Sequence, residues 1–344
     1  MNQINWVPYE KRFLKNYQEF TENYYGLNAY QCKENYIQWL YQENPLSKEK
    51  NDFLIGVNSD KENIVGCIHK MQMDWAFNNK TLRMPALHNL VVDSEYRHGI
   101  GFMLLMAAVS GEDQALMPGV KNPFSNFYKT LKYQKINALW YRKFLKPTSS
   151  GIFLLANKFL KMSAKENYFE SLKPKKINNN FIVDFSPSKD VMQQIAASLN
   201  DHDSQTFAPL WTEEQIKWRF FHPFGPQHIL VYENFNESME NFALVSMGPR
   251  RGLNIARILS LKSSSNESFD TLLKNVFNIV KNEGGHLIQI FSADALINRS
   301  LISIGWTPVK NSPDTYIFHK NKSDIFKNYA FTGSAGDFGF EAIK

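Results

Sequence analysis

Between Leu90 and Leu105 a strand-like run, Leu90-Val91-Val92-Asp93, passes through Ser94-Glu95-Tyr96 into Arg97-His98-Gly99-Ile100-Gly101-Phe102 and on into an apolar helix. That order suits an anion. The first backbone N–H groups of a helix lack intrahelical partners, and with the helix dipole they converge on a phosphate without burying a charged side chain. Glycines at 99 and 101 let the backbone approach such a group closely. A lone Gly-x-Gly also occurs in ordinary strand-to-helix turns, so both readings stand at this point.

Residues able to move protons lie nearby in sequence. His88 precedes Leu90 by two positions, and strict strand alternation puts the two on one face. Imidazole titrates at about 6.5, which suits a base that takes a proton from an amine, and it equally suits a hydrogen-bonded structural histidine. Tyr128 has a phenol with a pKa of about 10, and it reads either as a proton donor or as a core residue. Asp93 and Glu95 fit a base less well than capping or solvation of the turn. In the second half, Arg219 and Arg250 can meet phosphates while Trp218 or Phe220 stacks on a base, although each also reads as structural or solvated.

The elements that must hold these residues follow from periodicity. Helical patterns over residues 11–20 and 30–40 stop at Asn44-Pro45, and strands over 53–57 and 63–68 form a hairpin. A longer strand covers 83–92. Residues 102–109 form a helix, 115–117 a buried strand, 125–131 a helix and 136–144 a final strand. The same order of markers recurs later. Trp218-Arg219-Phe220 with Pro223 stands where Trp39-Leu40-Tyr41 with Pro45 stood, residues 228–232 match 53–57, 242–247 match 64–68, and 258–261 match 90–93. The resulting expectation is an α/β (α+β) protein of two tandem units, each a mixed, mostly antiparallel sheet flanked by helices, over 1–147 and 181–325. A basic helical linker at 148–180 joins them, and a Gly/aromatic tail covers 326–344. The second unit is degenerate, because Leu261-Lys262-Ser263-Ser264-Ser265-Asn266 contains no Gly-x-Gly. Its expected role is to contribute the acceptor site.

Composition narrows the function classes. A chain of 344 residues with 43% hydrophobic and 14% aromatic content has ample apolar surface for two cores. The net charge of +6 is concentrated between Arg142 and Lys176, where nine Lys/Arg face two Glu, which argues against a basic nucleic-acid-binding face on a folded domain. No nucleic acid partner is expected. No apolar run approaches the roughly 18 residues of a membrane span, and two cysteines without metal-like spacing support neither a disulfide framework nor a metal site. A soluble, cytoplasmic protein is expected, and the oligomeric state is not legible.

The glycine turn with its preceding strand resembles the coenzyme A motif of the GNAT superfamily, and Leu116-Met117-Pro118-Gly119-Val120-Lys121-Asn122-Pro123 with Ser125 to Tyr133 resembles that family's fifth strand and following helix. The resemblance implies acyl-CoA as co-substrate, with no metal. It implies that Leu90, Val91 and Val92 carry the pantetheine arm, that Arg97, His98, Gly99, Ile100, Gly101 and Phe102 hold the phosphates with Asn122 beside them, and that Tyr128 protonates the departing thiolate. The tail and the Trp-Arg-Phe segment resemble tandem GNAT N-acyltransferases acting on nucleotide-linked amino sugars, such as a dTDP-linked 4-amino-4,6-dideoxyhexose of the anthrose pathway. The implied acceptor is therefore a nucleotide-linked amino sugar of surface-glycan synthesis, bound through Arg219, Phe220, Arg250 and Trp218. Two alternatives share the pattern: an aminoacyl-tRNA-dependent transferase of the peptidoglycan-bridge type, and a non-catalytic module that retains a coenzyme A site.

Overall fold

The computed structural model describes residues 4–26, 29–47, 52–59, 63–97, 99–146, 175–177, 180–233, 239–250, 253–320 and 326–336, and all counts of strands and sheets concern those residues. Most of the linker expected at 148–180 lies outside them.

The first half begins with strand β1 (Ile4–Pro8) and helix α1 (Leu14–Tyr25), which buries Tyr17, Phe20 and Thr21. The short helix α2 (Glu34–Ile37) widens into a π-type turn at Gln38–Gln42 that buries Trp39, Leu40 and Tyr41. Strands β2 (Phe53–Asn58) and β3 (Ile64–Met71) form the expected hairpin. The continuous strand expected over 83–92 is divided instead. Asn78 and Asn79, both at positive φ, turn β4 (Asp74–Phe77) into β5 (Lys80–Arg83), and β6 (Ala86–Val92) starts only after Pro85. Paired left-handed residues match the twist of a two-residue hairpin, and a proline cannot donate to a ladder. Helix α3 (Ile100–Val109), β7 (Gln114–Val120), α4 (Asn122–Thr130), β8 (Gln134–Ile136) and β9 (Leu139–Phe144) complete the half.

The second half contains β10 (Lys175–Lys176), β11 (Phe181–Asp184), α5 (Lys189–Asn200), β12 (Thr206–Pro209), α6 (Glu213–Phe221), β13 (His228–Glu233), β14 (Phe242–Arg250), β15 (Leu253–Lys262), α7 (Asn266–Asn282), β16 (Leu287–Ser292), α8 (Ala295–Ser303), β17 (Asp314–His319) and β18 (Asn328–Tyr329). Two seven-stranded sheets result, ordered β1-β2-β3-β6-β7-β17-β8 and β10-β11-β13-β14-β15-β16-β9. In each, a run of antiparallel strands, three in the first sheet and four in the second, leads to one parallel pair, β6 with β7 and β15 with β16, so the repeat read from the sequence is present in the topology.

The halves exchange strands. The segment expected as one strand over 136–144 is split, with β8 in the first sheet and β9 in the second, where Leu139–Phe144 pairs with β16. Conversely, β17 sits between β7 and β8 of the first sheet. A third sheet, β18-β12-β4-β5, joins the first-half hairpin to two second-half strands. Between them lies a shared core that includes Trp39, Trp75, Phe207, Trp218, Phe220, Phe326 and Phe331. Burying each such aromatic contributes roughly 1.5–3 kcal/mol, so the halves are joined by packing as well as by pairing. The repeat meets itself here: Trp39 Nε1 donates to the Trp218 carbonyl and Trp218 Nε1 to the Trp39 carbonyl, both at 2.7 Å.

Candidate functional site

The parallel pair β6/β7 is joined at its start and open beyond it. Its ladder is the pair Ala86↔Leu116, supported by the Leu116 N–H donating to the Pro85 carbonyl at 2.9 Å. Beyond it no further pair joins the two strands among the described residues, so the β7-facing edge of β6 along residues 87–92 is a candidate cleft. An unpaired strand edge is a row of donors and acceptors ready for an extended, amide-bearing ligand.

Strand β6 carries a bulge within this edge. Cys67 pairs with Val91 and His69 with His88, so Asn89 and Leu90 together oppose Ile68. Asn89 has φ of 53°, the left-handed conformation that asparagine tolerates better than most residues. The extra residue breaks the alternation expected for His88 and Leu90. His88 shares its face with Val91 instead, toward the shared core, and is buried, while Leu90 is exposed. The Asn89 side chain joins a polar cluster: Nδ2 lies 3.1 Å from His69 Nδ1, 3.2 Å from His88 Nδ1 and 3.2 Å from the Tyr36 hydroxyl, and Oδ1 accepts from Tyr25 at 3.1 Å. His69 Nε2 reaches the Tyr17 hydroxyl at 3.2 Å. Burial first, and His88 second, hold the His69 pKa well below its usual value. Sequence reasoning missed His69, Tyr17, Tyr25 and Tyr36 because folding alone brings these distant positions together. Asn89 did leave a signal, since asparagine is depleted in strand interiors.

At the end of β6, Asp93 accepts from the Glu95 N–H at 2.9 Å and starts a single tight turn, Ser94–Tyr96. Gly99 then caps α3 with φ of 87°, and its carbonyl receives the Met103 N–H at 3.0 Å. The Ile100, Gly101 and Phe102 amides head the helix. Space is open around Gly99, where an added Cβ would meet nothing within 4 Å, while one on Gly101 would be 3.6 Å from Val92 Cγ2. Arg97 is exposed beside the turn, and His98 lies outside the described residues.

Exposed apolar side chains lie on the helices that follow β6 and β7. Leu104, Leu105 and Ala108 bury one side of α3, whereas Phe102, Met103 and Met106 are 40–50% exposed on the other. Phe124 and Phe127 are exposed on α4, and the Phe127 ring meets Phe102 edge-on with centroids 5.8 Å apart. Asn122 starts this helix, and its side chain lies outside the described residues. Tyr128, next to Phe127, is buried in the core under α3 and α4 and stacks on Tyr316 of β17 at 5.3 Å. Burial, with Tyr133 second, pushes its phenol up to about 12. The start of α4 is tied to β17 by Ser125, whose hydroxyl donates to Asp314 at 2.7 Å, with Lys135 2.6 Å from the other carboxylate oxygen. Burial of Asp314 opposes its ionisation, but hydrogen bonds from Lys135 and Ser125 outweigh it and keep the carboxyl below its usual range.

Three of the second-half residues expected to hold the acceptor lie in the core. Trp218, Arg219 and Phe220 are buried in α6. Trp218 is bonded to Trp39, and Arg219 donates through Nη2 to the Gly336 carbonyl at 2.8 Å with its guanidinium over the Phe220 ring. Arg250 ends β14, and its side chain lies outside the described residues.

The parallel pair β15/β16 is filled where β6/β7 is open. It pairs over Ile255–Ile258, and the C-terminal segment then enters between the strands. Thr332 bridges to Ser292 and donates its hydroxyl to the Leu259 carbonyl at 2.6 Å, and the Ala293 N–H reaches the Phe331 carbonyl at 2.9 Å. Beside the inserted tail is a cavity of about 590 Å³ whose lining includes Asp201, His202, Trp211, Asp294, Asn298 and Tyr329. Among the described residues no cluster of His, Cys, Asp and Glu could hold a metal ion, and no helix is long and apolar enough to cross a membrane.

No family model matches this sequence, and no curated protein matches it by sequence. Solved structures do match by fold. N-myristoyltransferase of Saccharomyces cerevisiae with bound myristoyl-CoA superposes with a TM-score of 0.64 at 11% identity, covering 93% of this chain and 79% of that one. A GCN5-related N-acetyltransferase from Kribbella flavida gives 0.56 at 12% identity, over 92% and 70%, and one from Anabaena variabilis gives 0.55 at 9%, over 93% and 73%. The chain therefore has the fold of GCN5-related acyltransferases, in tandem.

Proposed function

We propose that the protein is an acyl-CoA-dependent N-acyltransferase whose donor binds in the β6/β7 cleft. The observation that carries this reading is the bulged, unpaired edge of β6 running directly into an open glycine-capped helix N-terminus. The Ile100, Gly101 and Phe102 amides are placed to hold a pyrophosphate. Residues 87–92 offer backbone groups to the amides of a pantetheine arm, and the exposed Phe102, Phe127 and Leu90 give its apolar parts contact. The fold shared with a myristoyl-CoA-bound enzyme supports the same placement.

The acceptor amine then meets the thioester at the open edge of β6. Catalysis by such a site is chiefly alignment: holding the two reactants together converts a bimolecular step into one within a single complex. Attack by the neutral amine on the thioester carbonyl breaks the C–S bond, leaving an amide, a thiolate and the proton shed by the amine nitrogen, which passes to solvent. Tyr128 keeps its proton throughout the neutral range and is the proposed donor to that thiolate. His88 already receives an amide nitrogen at Nδ1, so what it presents to an amine is set by Asn89.

The acceptor we propose is a nucleotide-linked amino sugar, for example a dTDP-linked 4-amino-4,6-dideoxyhexose, seated through the second-half cavity. Its volume is in the range of small-molecule sites. Trp211 and Tyr329 offer faces for a sugar ring, and Asp201, Asp294 and Asn298 offer short hydrogen-bonding groups for hydroxyls and an amine. A thiol-release assay pairing acetyl-CoA and longer acyl-CoAs with dTDP- and UDP-linked amino sugars tests the reading. Thiol release that requires both partners is expected. Salt-sensitive binding of aminoacyl-tRNA with no response to acyl-CoA would replace it by the tRNA-dependent alternative.

A further inference from the structure

Asn89 occupies a position that neither the glycine turn nor the acceptor cavity explains. It is the left-handed residue of the β6 bulge, and its side chain points away from the α3 side into a buried cluster on the other face of the sheet. The amide nitrogen has two hydrogens and three neighbours, His69 Nδ1, His88 Nδ1 and the Tyr36 hydroxyl, at 3.1 to 3.2 Å. A proton on either Nδ1 would set donor against donor, because an amide nitrogen accepts nothing. Each Nδ1 is thus placed as an acceptor, with the proton on Nε2, and His69 Nε2 faces the Tyr17 oxygen. The ionisable groups around the pair are Tyr17 and Tyr25 of α1, Tyr36 of α2, Tyr41 of the π-type turn and Cys67 of β3. All are uncharged at neutral pH, so none of them draws a proton onto either imidazole.

We propose that Asn89 is a positioning residue for acyl transfer: by holding the Nδ1 atoms of His69 and His88 as acceptors, with the proton on Nε2, and being held by them, it fixes the left-handed bulge that aims the open edge of β6 at the thioester. This rests on the acyltransferase reading. It also gives His88 a role other than that of base. With Nδ1 occupied by Asn89, His88 has no lone pair with which to act as a base. The backbone consequence is equally direct. Asn89 is held at both ends, by the imidazoles at Nδ2 and by Tyr25 at Oδ1, so the orientation of the Leu90 and Val91 peptide groups at the cleft is fixed by a side-chain network on the opposite face.

Two measurements test it. In the ¹H–¹⁵N correlation spectrum of the wild-type protein at pH 7.5, His69 and His88 are expected to show the Nε2–H tautomer, and an Nδ1–H pattern at either ring overturns the proposal. This readout does not depend on turnover, so it still decides the question if acetyl-CoA proves not to bind and the acyltransferase reading falls. For turnover, thiol release from acetyl-CoA with a dTDP-linked 4-amino-4,6-dideoxyhexose is followed against pH. Asn89→Asp keeps a residue that tolerates the left-handed backbone but offers acceptors to both Nδ1 atoms, and it is expected to draw protons there and move the acid limb up by about one pH unit or more. Asn89→Gly keeps the backbone and removes the network, and is expected to lower kcat about tenfold or more with acetyl-CoA affinity retained and no shift of the limb. His69→Asn, which restores an acceptor near Nδ1, should keep more of the wild-type rate than His69→Ala. An unmoved acid limb in Asn89→Asp, or equal rates in the two His69 variants, would show that the cluster is merely structural.

Discussion

The two parallel strand pairs, β6/β7 and β15/β16, are the same device completed in different ways. Each opens where its strands diverge, and each would leave backbone groups without partners. In the second half the chain closes the gap with its own residues: Thr332 and the Phe331 carbonyl satisfy Leu259 and Ala293. In the first half nothing among the described residues enters. A glycine-capped helix starts beside the opening, and exposed apolar side chains surround it. The difference teaches what degeneration of a repeat means physically. Loss of Gly-x-Gly in Ser263-Ser264-Ser265 is accompanied by occupation of the gap, so the second sheet is stabilised by a segment of the protein where, among the described residues, the first is left open.

If this contrast is right, damage to the filled cleft should act on stability and damage to the open one on binding. The largest effect is expected from Phe331→Ala. This ring is buried against Trp75 and Phe291, and its loss should cost roughly 3–5 kcal/mol in denaturant unfolding while acyl-CoA affinity is unchanged. Gly99→Val should do the reverse. A β-branched residue at φ of 87° is strained, and the turn that presents the amides would shift, so acyl-CoA affinity should fall about a hundredfold in calorimetry. Ser264→Val, at the corresponding turn of the second half, should leave that affinity untouched.

Smaller effects probe the joint between the halves and the chemistry. Trp39→Phe or Trp218→Phe should each destabilise by about 1–3 kcal/mol, because each strands a buried carbonyl, and a double-mutant cycle should show coupling since the two bonds are reciprocal. Tyr128→Phe should lower kcat by less than about tenfold, because a phenol pushed up to about 12 is a weak acid and a thiolate departs readily without one. Near neutrality pH should matter least. Burial lowers His69 well below its usual range and lowers His228 to about 3, so the unfolded chain binds more protons than the native one below about pH 6.5. Stability is therefore complete above that value and declines as the medium is acidified, which thermal unfolding from pH 8 to pH 4 would register.

Local features were legible in the sequence and long-range ones were not. The glycine turn, the β2/β3 hairpin and the marker repeat all follow from spacing within a few residues, and the structure contains each. The alignment of Trp39 with Trp218 as repeat equivalents carried no expectation of contact; their reciprocal hydrogen bonds are a finding of the structure alone. The strand exchange left no local trace, because Leu139–Phe144 and Asp314–His319 read as ordinary strands whichever sheet receives them. The bulge had the same effect at finer scale: one extra residue at Asn89 moved His88 off the face of Leu90, and alternation alone cannot register an insertion. Arginines and aromatics at 218–220 suggested a phosphate and base site by residue type. Burial assigns them to the shared core, and the cavity lining comes from Asp201, Trp211, Asp294 and Tyr329, which no spacing in the sequence brings together.

The most direct test of one open and one filled cleft is the stoichiometry of acetyl-CoA binding by calorimetry, on the wild-type protein and on Gly99→Val. One equivalent per chain is expected, strongly weakened by the substitution. No binding, two equivalents, or a single equivalent indifferent to Gly99→Val would contradict the assignment of the donor site to β6/β7.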